Sequence, residues 1–179
     1  ARLTSWAAAV AEDLKAHRGR GIVLVGEYQP PALHALAHAI NAALDNVGRT
    51  VVYTEPLESE PQDGIESLRS LTADMAAGRV QSLFIFGANP VYDTPADIPF
   101  AKSMDAVPFR AHWGLYQDET AELCHWHVPA THDLETWGDI RACEGTITIQ
   151  QPLIEPLYGG KNMLEVLDVL LGRPGRPVY

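Results

Sequence analysis

The sequence is short of cysteines, of cations and of long apolar runs, and each shortage removes a class of explanation. Its cysteines are Cys124 and Cys143 alone. Two thiols do not make a disulfide framework, so free, buried thiols are the expectation. Lys and Arg total 13 against 23 Asp and Glu, a formal net charge of -10. That balance argues against a nucleic-acid binder, which needs basic patches for phosphates, and against docking on an anionic membrane surface. No apolar run approaches the ~20 residues of a membrane span, and no signal-peptide pattern is visible. The glycine fingerprints G-x-G-x-x-G and the Walker loop are missing, which weighs against standard NAD and NTP sites. G-x-S-x-G is missing too, so a hydrolase built on His127 with Asp133 or Glu135 has no nucleophile elbow.

What is present fits a globular domain. The chain has 179 residues, 46% hydrophobic and 20% charged, enough to bury a sizeable core. It opens on "ARLTSW" without an initiator Met and closes on the tail "GRPGRPVY". It reads as a single α/β domain, 1–179, excised from a longer chain, with a core over 20–151 and an extension and helix over 152–172.

Helical and strand patterns alternate. Trp6, Val10 and Leu14 share one face of a first helix that Gly19 stops. "GIVLVG" is a continuous apolar run of the kind buried in parallel sheets. Pro30 and Pro31 suit a helix start, and Leu33, Leu36, Ile40, Leu44 and Val47 form its apolar stripe up to Gly48. "TVVYT" reads as a strand, and "ESLRSLTADMAAG" as a helix with Leu68, Leu71 and Met75 inward. Strands follow at "SLFIFG", "PFRAHWG", "LCHWHVP" and, short or at an edge, "GTITIQQ". "ADIPFAKSM" and "NMLEVLDVLLG" are helices. Strand spacing near ~30 residues matches βαβ units. The predicted fold is a doubly wound, mostly parallel, Rossmann-like sheet with helices on both faces.

Ligands of such sheets sit beyond the C-terminal strand ends. Two ends are chemically marked: "GEYQPP", Gly26 to Pro31, and "GANPVYDTP", Gly87 to Pro95. Each places Gly where backbone must approach a ligand closely. The histidines are weaker candidates. His34 and His38 are one helical turn apart but lack the Glu of H-E-x-x-H, and Asn41 and Asp45 continue a solvated face. His17 and His112 have no partner in sequence. In "LCHWHVP", strand alternation turns Cys124 away from His125 and His127, and His132 and Cys143 lie at no standard finger spacing, so a local zinc site is geometrically poor.

Order sharpens the reading. Gly87-Ala88-Asn89-Pro90 ends a strand, Asp118-Glu119-Thr120-Ala121 follows the next strand, then come "CHWHVP" and Glu135 before Gly138. This run, from Ser82 to Gln151, resembles the third domain of the molybdopterin oxidoreductases, which shows a strand ending in G-x-N-P, a T-E-T-A-like turn, then "ADVVLP" and a loop with Glu before Gly. The ending "QPLIEPLYGGK" resembles a narrower branch, the molybdopterin-oxidoreductase-like iron–sulfur subunit of alternative complex III. The resemblance implies a domain that helps hold molybdopterin guanine dinucleotide. Gly26, Glu27 and Gln29, then Gly87, Ala88, Asn89, Pro90 and Asp93, then Gln117, Asp118, Glu119 and Thr120 would line its nucleotide portion. In the narrower branch the molybdenum cofactor is absent and the domain is a scaffold with no chemistry of its own. The resemblance further implies iron–sulfur clusters elsewhere in the parent, and partners in its remaining domains and in other subunits of a membrane-associated respiratory complex. It implies a periplasmic location, no nucleic acid and no membrane span in this chain. The Cys124, His125, His127 and His132 cluster then stands on a scaffold strand, not as ligands.

Overall fold

The computed structural model describes residues 2–58 and 60–175, so residues 176–179 of the expected tail lie outside the described residues. The chain divides into two compact units, 1–55 and 56–179.

The first unit carries α1 (Arg2–Ala16) and α2 (Pro31–Ala43). Gly19 follows α1 at φ 68° and donates its N–H to the Leu44 carbonyl at 2.8 Å. The α2 helix ends at Ala43, before the expected Gly48, because Asp45 turns at φ 55°. Asn41 does not continue a solvated face. It is 3% exposed. Its side-chain amide accepts from the Val23 N–H at 2.9 Å and donates to the Val23 carbonyl at 2.8 Å, and Asn46 bonds it from behind. This amide meets the Val23 backbone in "GIVLVG", which belongs to no strand among the described residues. "TVVYT" likewise makes only the isolated bridge Val47 to Val51. The strands expected at these two runs are therefore not sheet members here. His38 bonds the Tyr53 hydroxyl at 2.9 Å.

The second unit holds the sheet. Its helix α3 (Gly64–Ala76) is capped by Asp63, whose carboxylate accepts from the Ile65 and Glu66 N–H groups. Strands β1 (Ser82–Phe86), β2 (Phe109–Gly114) and β3 (Trp126–Pro129) form a parallel sheet in that order. Helices α4 (Pro90–Asp93), α5 (Phe100–Met104) and α6 (Glu119–Glu122) occupy the connections. The α/β class and parallel pairing agree with the expectation, but the sheet is smaller.

Alternation sorts the strands onto two faces. Leu83 and Ile85 meet Met75, Phe100, Met104 and Val107 in the core, with Leu68 and Leu71 packed against it. The opposite face carries Phe84, Phe86, Trp113, Trp126 and Val128, with Phe84 against Phe109 and Phe86 against Trp113. Helix α7 (Met163–Leu170) lies over it across an apolar cleft of ≈ 180 Å³ through Val166, Val169 and Leu170. Helices thus flank both faces.

An antiparallel hairpin, β4 (Gly138–Arg141) and β5 (Ile147–Gln150), follows β3. The sequence pattern marks β5 only. The "QPLIEPLYGGK" extension returns to the sheet. Lys161 donates its N–H to the Pro129 carbonyl at 2.8 Å, and its carbonyl accepts from the Thr131 N–H at 3.2 Å and the Trp113 indole at 2.7 Å. Gly160 permits this approach, since a Cβ there would lie 2.7 Å from the Ala130 oxygen. Both cysteines are free, but Cys143 is exposed rather than buried. Cys124 is half-buried against the core, and burial raises its thiol pKa. Among the described residues no helix is long and apolar enough to cross a membrane.

Candidate functional site

The C-terminal ends of β1 and β2 open into a cavity of ≈ 400 Å³ in the second unit. Gly87 leaves β1 at φ 60° while its N–H still bonds the Trp113 carbonyl at 2.8 Å, so the loop turns up from the strand end. Gly87, Ala88, Asn89 and Asp93 form one side of the cavity, and Tyr116 and Asp118 another. Pro90, Gln117, Glu119 and Thr120 are not part of its lining. Gly26, Glu27 and Gln29 belong to the first unit, where the Gln29 N–H bonds the Gly26 carbonyl at 3.1 Å in an exposed turn.

The two second-unit loops are tied together. The Asn89 amide donates to Glu119 at 2.7 Å and accepts from the Thr120 hydroxyl at 2.7 Å. That hydroxyl accepts from the Val91 N–H at 3.0 Å. Thr120 is fully buried. The bond from Asn89 holds the Glu119 carboxyl below the usual carboxylate range. Asn89 is thus occupied in clamping α4 to α6. Asp118 caps α6 by accepting from the Ala121 N–H at 2.9 Å, so that helix end is already met by a carboxylate.

Sequence reasoning missed the floor of the cavity. His112, 2% exposed, lies beside His127 in register, with ring centroids 5.2 Å apart and 19° between planes. Its Nε2 approaches the Ala88 carbonyl at 3.3 Å and its Nδ1 the His127 Nδ1 at 3.0 Å. A carbonyl only accepts, so Nε2 of His112 carries the proton and its Nδ1 accepts from Nδ1–H of His127. The imidazole lies along its own strand, where a Cβ on Gly114 would meet its Cε1 at 2.6 Å. Burial, then His112, lowers the His127 pKa from 6.5, with Asp118 opposing. The findable signal was that both histidines sit on one alternating face, but their pairing needs the register. His125 accepts from the Arg110 N–H at 3.0 Å, and His132 caps the 3₁₀ turn Asp133–Glu135. Both have structural partners.

The cavity is acidic. Asp93, Asp118 and Asp133 line it, and among the described residues no Lys or Arg does. Arg110, the nearby cation of β2, spends its guanidinium on the Met104, Val107 and Leu123 carbonyls. Carboxylates and a hydroxyl suit donor-rich ligands. They repel a diphosphate, and among the described residues of the lining no cation offsets them. The residues lining this cavity therefore do not fit the diphosphate of a dinucleotide.

This arrangement is an α/β unit with a strand-end cavity, and comparison with known proteins agrees at that level. The chain is similar to acetylene hydratase from Pelobacter acetylenicus, with a TM-score of 0.51 and 20% identity over 59% of this chain and 16% of that one. That likeness establishes the fold. In sequence it is 28% identical over 110 residues to a menaquinone reductase, molybdopterin-binding-like subunit, of Nitratidesulfovibrio vulgaris, covering 59% of this chain and 16% of the relative. The match thus spans about a sixth of that relative's length. No family model matches the chain.

Proposed function

We propose that the chain is a domain of a molybdopterin-oxidoreductase-like large subunit in a membrane-associated, quinone-linked respiratory complex, acting as scaffold without holding molybdopterin guanine dinucleotide. The similarity to a menaquinone reductase subunit supports the class. The order of the GANP loop, the DETA turn and the PLYGGK ending supports the branch. The observation that carries the scaffold role is the acid-lined cavity, which Asp93, Asp118 and Asp133 line without a cation among the described residues. Like-charge juxtaposition of a phosphate with them costs several kcal/mol. Under this reading the iron–sulfur clusters belong elsewhere in the parent. The partners are its other domains and the other subunits, at the periplasmic side, and this chain supplies no catalytic residue.

A second reading keeps the cofactor. Its support is that Asp118 and Asp133 line the cavity, where carboxylates suit the N–H edge of guanine. The loop residues from Gly87 to Asp93 and from Gln117 to Thr120, with Gly26, Glu27 and Gln29, are then its contacts. Titrating GDP into the chain while following the Trp113 indole resonance separates the two. The scaffold reading expects no saturable shift at millimolar GDP. A saturable shift that Asp118→Asn and Asp133→Asn abolish would establish the second.

A further inference from the structure

We propose that His112 and His127 form a pH-sensitive switch in the floor of the cavity: the pair takes up one proton, and the Nε2–H of His112 then passes from the Ala88 carbonyl to the Asp118 carboxylate. In the neutral pair, Nδ1–H of His127 donates to Nδ1 of His112 at 3.0 Å, and Nε2–H of His112 donates to the Ala88 carbonyl at 3.3 Å. Three of the four ring nitrogens are thereby engaged. A proton from solvent enters at the fourth, Nε2 of the half-buried His127. The bridging proton can then sit on either Nδ1, so the positive charge reaches His112 with the bridge intact. A second proton is shut out, because two N–H groups would face each other across 3.0 Å between rings 5.2 Å apart. The pair titrates as one unit and holds one proton.

Once charged, His112 has two acceptors for its Nε2–H. The Ala88 carbonyl is neutral, and its bond at 3.3 Å is long. Asp118 Oδ2 lies 3.9 Å from the same nitrogen, while Oδ1 stays on the Ala121 N–H. A charge-assisted bond is roughly twice as strong as a neutral one, so the donor turns to the carboxylate. Ala88 loses its donor, and its peptide leads directly to Asn89, which clamps α4 to α6. The charge of a buried ring is thus felt at the rim of the cavity. The other charged and titratable groups around the pair lie elsewhere or are engaged. Asp93, Tyr116 and Asp133 line the same cavity as His112. Glu119 is held by Asn89, and His125 accepts from the Arg110 N–H. The Arg110 guanidinium is spent on backbone carbonyls, and Cys124 is packed against the core. Burial, then His112, holds the His127 pKa below 6.5 with Asp118 opposing, so the switch operates on the acid side of that value.

The test is an NMR titration of the full 179-residue chain from about pH 8 to about pH 5, the range in which histidines change charge. The ring resonances of His112 and His127 should move together, with one midpoint and one proton taken up by the pair. The Ala88 carbonyl carbon and the Asn89 side-chain amide should follow the same midpoint. Asp118→Asn keeps a helix cap; it should lower the midpoint by about one pH unit and abolish the Ala88 response. Asp93→Asn and Asp133→Asn should leave that response in place, which separates the pair from titration of the other cavity carboxylates. Rings that do not titrate, two separate midpoints with two protons taken up, or an Ala88 carbonyl that does not follow the rings would overturn the proposal. So would a response that survives Asp118→Asn or is lost in Asp133→Asn. The titration of the unsubstituted chain decides by itself where a variant fails to fold.

Discussion

Replacing Gly160 by Ala tests how the C-terminal extension is held to the sheet. The new Cβ would lie 2.7 Å from the Ala130 oxygen, 2.9 Å from its carbonyl carbon and 3.0 Å from the Thr131 nitrogen. All are backbone atoms, so no flexible side chain can yield. The extension must retreat, and three bonds centred on Lys161 stretch or break: to Pro129, from Thr131 and from the Trp113 indole. At about 1 kcal/mol net for each bond, the cost is roughly 3 kcal/mol. Gly159→Ala is the control. Gly159 has φ 62° but open space around it, so only backbone strain of about 1–2 kcal/mol applies. Urea unfolding followed at the Trp113 indole resonance reports on the second unit alone. The indole resonance should also move toward its solvent value in Gly160→Ala and stay in Gly159→Ala. A Gly160→Ala stability within ~0.5 kcal/mol of the parent, or above that of Gly159→Ala, would refute the argument.

Asn89→Ala should cost about 2 kcal/mol, because the fully buried Thr120 hydroxyl loses its acceptor. In the same variant the Glu119 carboxyl should titrate closer to its ordinary range, read by carbon NMR. Met75→Ala empties a site with no solvent exposure and should cost 2–5 kcal/mol in urea, on the order seen for buried aliphatic truncations. The His127 pKa is lower folded than unfolded, so the unfolded chain binds more protons in that interval. Stability should therefore fall as pH drops below about 6.5 toward the folded pKa, and His127→Phe should flatten that slope. An unchanged slope in the variant would assign the pH dependence elsewhere.

Much of this was legible in local pattern. The apolar run SLFIFG located β1, the strand patterns of PFRAHWG and the alternating LCHWHVP located β2 and β3, and the 3.6-residue stripe of Leu68, Leu71 and Met75 located α3 and its core face. Of the two strand ends that glycines marked, Gly26 and Gly87, the second is where the cavity lies. What was not legible depends on partners distant in sequence. Asn41 reads as a polar helix residue, and only the fold makes its amide the neighbour of Val23. "GIVLVG" has strand composition, but pairing is a property of two segments. The stacking of His112 on His127 follows from register between β2 and β3, across 15 residues. Asn89 looked like a ligand group because the family resemblance puts the GANP loop against a nucleotide. Its geometry makes it a clamp, since both ends of the amide already bond α6. The acidity of the cavity was hidden because Asp93, Asp118 and Asp133 belong to separate loops.

The scaffold reading proposes that this domain holds no dinucleotide. The most direct test is the molybdenum, iron and pterin content of the intact parent protein, purified from its native membrane. The account predicts iron without molybdenum and no releasable guanine nucleotide. Stoichiometric molybdenum with guanine dinucleotide would contradict it and make the GANP and QDET loops contacts of a working cofactor.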